Sequence, residues 1–174
     1  MYYNAVIMTI FGYIKTPPSE LDEARMTIIS SVNRICRSSA HVIARLMEIH
    51  ENHWSFELMN FNSMRWISTA FYTLIDDDLS DTANHSAFRT LCTPAVSMAK
   101  RWLLLRGMLR LVQITAKLKD KTIPEDVRRS LSEFERRYWK PDDQQLFSRC
   151  FPDFAASIRQ HDDHLPEDLE LDKF

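Results

Sequence analysis

An all-α bundle of about five to six helices around one buried central helix is the fold class this sequence predicts from its helical period. Three observations point to it. Apolar residues recur every three and four positions along most of the chain, the spacing of one face of a helix. Only two glycines, Gly12 and Gly107, occur in 174 residues, so neither a turn-rich β fold nor a glycine-rich phosphate loop can be built. No stretch alternates apolar and polar residues for long enough to form a useful strand. The length and an apolar fraction of 45% suit one domain with a sizeable core.

The elements follow in chain order. Tyr3, Val6, Ile7, Ile10 and Ile14 make the apolar face of a first helix. This opening lacks the basic leader and cleavage site of a signal peptide and is too interrupted to span a bilayer. "TPPSELDE" breaks the chain, with Ser19 as a cap for the next helix and Asp22 three residues on. Ile29, Val32, Cys36, Ala40, Ile43 and Met47 then form one stripe of a long helix reaching about Glu51. The span from Phe56 to Ile75 is apolar almost all round, so it is predicted to be the buried central helix. Phe88 to Ala116 carries a further apolar series through Pro94, where a kink or restart is expected, with Thr93 as cap. Pro124 opens a shorter helix marked by Val127, Leu131, Phe134 and Tyr138. "WKPDD" ends it, and Leu146, Phe147, Cys150 and Phe151 mark a last short one. The helical domain is therefore placed at residues 1–151 and an acidic tail at 152–174.

Charge separates the tail from the body. The net charge is −2, and the tail alone holds seven acids against Arg159 and Lys173. The body is left with 20 basic and 17 acidic residues, too mild a surplus for DNA binding by itself. Acidic residues with spaced Leu and Phe suit either a solubilising terminus or an activation segment; the former is favoured. Three separated cysteines, Cys36, Cys92 and Cys150, each among apolar residues, suit buried thiols in a reducing compartment.

The candidate chemistry lies in "LIDDDLSD", residues 74–81. Asp77, Asp78 and Asp81 have the spacing with which terpene cyclases and prenyltransferases hold magnesium and a diphosphate, and magnesium favours carboxylates. No second metal motif faces them. The structural alternative, favoured here, is that Asp76 to Asp78 leave the helix for water and Ser80 or Asp81 caps the next one, each carboxylate separately dispensable. "HDDH", His161 to His164, and the pair His50 and His53 lack further ligands or support. Met59, Met64, Trp66 and Phe71 suit core packing before a ligand pocket. The chain is thus not expected to be an enzyme, and no cofactor or metal is expected.

The span Cys36–Lys119 carries a resemblance. "CRSSAHVIARLMEIHENHWSFELMNFNSMRWISTAFYTLI", a polar loop, and "FRTLCTPAVSMAKRWLLLRGMLRLVQITAKL" resemble the C-terminal half of the regulatory, or middle homology, domain of fungal binuclear zinc-cluster transcription factors. Cys36, Ala40, Ile43 and Met47 fill the first helical pattern, Trp54 to Ile75 the second, and Trp102 the tryptophan of the third. Gly12-Tyr13-Ile14 stands where family members often have His-Arg-Pro. Three cysteines without Cys-x-x-Cys cannot form the six-cysteine zinc cluster. The resemblance implies a nuclear regulatory and interaction domain, without direct DNA or membrane binding. A protein partner and a small-molecule effector follow from the same resemblance, and self-association from the apolar surface described next. As half of a larger domain, the chain is expected to expose an apolar face, the Ile29–Met47 stripe and the helix around Trp66 not both being covered. The alternative is a stand-alone small helical enzyme or carrier with an apolar pocket between its helices.

Overall fold

The computed structural model describes residues 1–12, 23–56 and 59–150. Seven helices and no strand occur among the described residues: α1 Tyr2–Gly12, α2 Glu23–His53, α3 Ser63–Asp76, α4 Thr82–Ala99, α5 Leu103–Leu118, α6 Glu125–Tyr138 and α7 Pro141–Cys150. The all-α class therefore holds, with one helix more than expected. Ser19, Asp22, Ile14 and the tail lie outside the described residues.

The central helix is where its all-round apolar character places it. α3 packs against α1, α2, α4 and α5, and Ile67, Ala70, Leu74 and Ile75 are sealed from solvent. Fully buried alanines, Ala40 on α2, Ala70 on α3 and Ala95 and Ala99 on α4, let backbones approach closely, since the side chains at a crossing set its distance. Between them Phe71 meets Phe88 edge-on at 4.8 Å, a favoured aromatic geometry. α3 starts at Ser63, not at Phe56. Asn60 and Asn62 intervene, and the Asn62 N–H donates to Asn60 Oδ1 at 3.0 Å, a local bond that competes with helix.

Three expectations about the helices are corrected. α1 buries Ala5 and Met8, while Tyr2, Tyr3 and Ile10 are exposed. Its sequence is apolar nearly all round, so period alone selects no face; the face turned inward is the one packed on α2 and α3, where the Thr73 hydroxyl donates to Met8 Sδ at 3.3 Å. α4 runs unbroken through Pro94, which is buried. The break comes at Lys100–Trp102 instead, because Arg106 holds the carbonyls there, as described below. The Ile29–Met47 stripe and the Trp66 helix are also both accommodated: Val32, Ile43 and Met47 are buried, and Trp66 packs against the same core.

Candidate functional site

The four aspartates at the end of α3 and in the loop after it are each held by different partners. Asp76, the last residue of α3, pairs with Lys119 at the end of α5. Asp77 turns back to α2: Arg37 Nη2 donates to Oδ1 at 2.8 Å, and Arg37 Nε lies against Oδ2. Asp78 accepts from the Ser80 N–H at 2.9 Å and from the Ser80 hydroxyl at 2.8 Å. These bonds, the backbone one first, hold its carboxyl below the usual carboxylate range, with Lys121 and Arg37 adding attraction. Asp81 is the N-cap of α4 and accepts from the Ala83 N–H at 3.4 Å.

Asn84 joins this loop to the core. It is wholly buried, and its Nδ2 donates to Asp77 Oδ2 at 3.2 Å and to the Asp78 carbonyl at 2.8 Å. With the amide nitrogen so committed, Oδ1 accepts from His41 Nε2 at 2.7 Å, which fixes the proton on that ring nitrogen. A chain Arg37–Asp77–Asn84–His41 therefore stitches α2 to the α3–α4 loop. The expectation that Asp77 leaves the helix for water is corrected: its side chain is 19% exposed and engaged by Arg37 and Asn84. Asp77, Asp78 and Asp81 are engaged separately and are not brought to one point. Among the described residues no three His, Cys, Asp or Glu side chains are grouped to hold a metal ion.

His50 and His53 lie against the Trp54 indole, each with ring centroids 5.4 Å away, and His50 also stacks on Phe56. Met59, Met64 and Phe71 are buried in the core, and Trp66 packs against it. His161 to His164 fall outside the described residues. Cys36 and Cys92 are buried and form no disulfide, and burial, with Asp126 nearby, pushes the Cys92 thiol up to about 12. Cys150 closes α7.

Two features were missed from sequence. Arg106 sits in the apolar series of α5, yet it donates to the carbonyls of Ala99 at 2.9 Å, Lys100 at 3.0 Å and Tyr138 at 3.2 Å, and to Asp143 at 2.8 Å. It thereby clamps the end of α4, the end of α6 and the start of α7. An arginine inside an apolar run was the available signal, since such a group is buried only when paired. The second feature is the outer face of α2. Ile28, Ile35, Val42 and Ile49 are all exposed, between 37% and 55%. They stand seven residues apart, two helical turns, and so lie in one line with a small drift per step. Exposed Arg34, Arg45 and Glu48 flank them. No helix among the described residues is long and apolar enough to cross a membrane.

An all-α body, stitched by buried polar links and leaving an apolar line on its longest helix, is the class of structure these observations define. Over 135 residues the chain is 28% identical to the notoamide biosynthesis transcriptional activator notL' of Aspergillus versicolor, an alignment covering 72% of this chain and 22% of that protein. The chain is thus related to a fungal transcriptional activator, and the aligned part spans about a fifth of that relative's length. No family model matches, and no solved structure matches significantly.

Proposed function

We propose that the chain is a regulatory and interaction domain of a fungal-type transcription factor, equivalent to the C-terminal half of the middle homology domain, and that it works in the nucleus. The relationship to notL', described as a transcriptional activator, is the observation that carries this reading. The fold supports it: the motifs that suggested a metal enzyme are engaged in holding helices together. The outer line of α2 supports the interaction part. One exposed apolar residue per heptad supplies one of the two seam positions by which helices pair. Its occupant in this reading is a second copy of the chain. About the midpoint of an antiparallel pair, Ile28 meets Ile49 and Ile35 meets Val42, a self-complementary arrangement of the kind a two-fold interface requires.

The transcriptional part is tested by tethering the chain to a heterologous DNA-binding domain at a reporter promoter in a filamentous fungus. Output that differs from the DNA-binding domain alone supports the reading; identical output, with the fusion present in the nucleus, contradicts it. Sedimentation tests the association part. A dimer at micromolar concentration that becomes monomeric on Val42→Glu is expected. A monomer at all concentrations would remove the second copy as the occupant.

A further inference from the structure

We propose that the cleft between the end of α5 and the start of α6 binds a small organic acid, an oxyanion carried on an apolar body. A cavity of about 420 Å³ opens there, within the roughly 300–1,000 Å³ of small-molecule sites. Four cations line it, Arg110 and Lys117 from α5, Lys121 from the connecting turn and Arg128 from α6, and no carboxylate does. Ile114, Ala116 and Ile123 supply an apolar wall, and Gln113 and Thr122 supply neutral polar groups.

The turn explains the convergence. Asp120 takes a left-handed conformation, φ 50°. Its N–H donates to the Lys117 carbonyl at 3.1 Å, and the Lys121 N–H reaches back to the Ala116 carbonyl at 2.8 Å. This is the Schellman closure of a helix end. It folds Lys121 back over the last turn of α5, beside Lys117. The counter-charges lie outside the cavity wall. Glu135 accepts from Arg110 Nη1 at 3.2 Å and from Gln113 at 2.7 Å, and Glu125 pairs with Arg128. Glu125, with Asp78 and Asp120, instead lines a neighbouring cavity of about 560 Å³, whose shared wall is Lys121, Thr122, Ile123 and Arg128, and Lys121 attracts Asp78 across that wall. The carboxylates orient the guanidinium groups from behind, so that the cleft's own lining is basic, apolar and neutral polar.

Cations near a helix C-terminus also favour the helix dipole, which accounts for Lys117. Arg128, in the first turn of α6 where positive charge is disfavoured, is held there by its ion pair with Glu125. A cleft lined by one sign of charge focuses its field and concentrates a counter-ion. An anion there would meet basic groups from three segments and bridge α5 to α6. Binding rests on this chemistry alone; only a consequence for transcription rests on the reading above, and binding to the isolated chain separates the two.

Calorimetry on the whole chain tests the site, with octanoate, inorganic phosphate and octan-1-ol as probes. Octanoate is expected to bind saturably, more weakly as salt is raised, and better than phosphate; octan-1-ol is expected not to bind. Lys121→Glu should weaken octanoate at least about tenfold, the scale of one charge-assisted hydrogen bond, and Lys117→Gln should weaken it less. Arg129→Gln, outside the cavity, should change nothing. Circular dichroism shows that each variant is folded, and Lys121→Gln serves if Lys121→Glu is not. The proposal is overturned by unchanged octanoate binding in both lysine variants, by octan-1-ol binding as well as octanoate, by phosphate binding as tightly, or by no saturable binding of any anion.

Discussion

Asp77→Asn is the substitution on which the aspartate-rich loop turns. It keeps size and shape and removes one charge. What is lost is the charged character of the 2.8 Å bond from Arg37 and of the 3.2 Å bond from Asn84. The Asp77 side chain is 19% exposed and Arg37 is 43% exposed, so the pair is neither a free surface bridge nor fully desolvated. Exposed pairs contribute about 0.2–1 kcal/mol, whereas hydrogen bonds to charged groups contribute about 1.5–3 kcal/mol. The half-exposed arginine pulls the estimate toward the lower range, and the buried Asn84 pulls it upward. About 1.5–2 kcal/mol is expected, equal to roughly 3–8 °C in melting temperature for a chain of this size. Asp78→Asn, at an exposed turn, should cost clearly less than Asp77→Asn at neutral pH. The assay is urea unfolding followed by circular dichroism, with Arg37→Gln and the double variant completing a cycle. Equal small losses for Asp77→Asn and Asp78→Asn, with no coupling to Arg37, would refute the reasoning and restore a purely solvated loop.

Other consequences are independent of that loop. Arg106→Met removes donors to three carbonyls and leaves Asp143 mostly buried without its charge partner; a loss of about 3 kcal/mol is expected by denaturation. Asp120→Gly relieves a left-handed residue and should raise stability by about 0.5–1 kcal/mol, while Asp120→Val should lower it. Asp78 has a depressed carboxyl, so its contribution is present above the ordinary carboxylate pKa and is lost as the pH falls through the lowered one. Asp78→Asn should therefore flatten the acid limb of the stability curve, measured by melting temperature against pH. With its thiol pushed up to about 12 by burial, Cys92 should resist a disulfide reagent at pH 8 in a Cys150→Ser background and react once the chain is unfolded.

What the sequence disclosed was governed by period and local chemistry. α3 was legible as the central helix because no face of it is polar, and α6 because Pro124 and Val127 mark its start. The face of α1 was not legible, since Ala5 and Tyr3 both stand on a helix apolar nearly all round and the choice is made by packing against α2 and α3, distant in sequence. Pro94 signalled a break that does not occur, because a helix interior survives the loss of one backbone donor when packing holds it. The break at Lys100–Trp102 is written in Arg106, whose partners Tyr138 and Asp143 lie more than a helix away. Asp77 depends likewise on Arg37, forty positions earlier. Asp81 could be named as one of two caps because capping is local. The α2 line Ile28–Ile49 was hidden by the stronger buried stripe on the same helix; its own period of seven was the available signal.

The central claim is that the chain acts in transcription through an interaction on the outer face of α2. Replacing Val42 by Glu at the native locus, and comparing transcripts and protein amount with the parent strain, tests it most directly. Val42 is exposed and outside the core, so the variant should fold and accumulate normally. The account predicts a defined set of transcripts changed at unchanged protein abundance. An unaltered transcript profile, with the variant protein present at parental level, would contradict it.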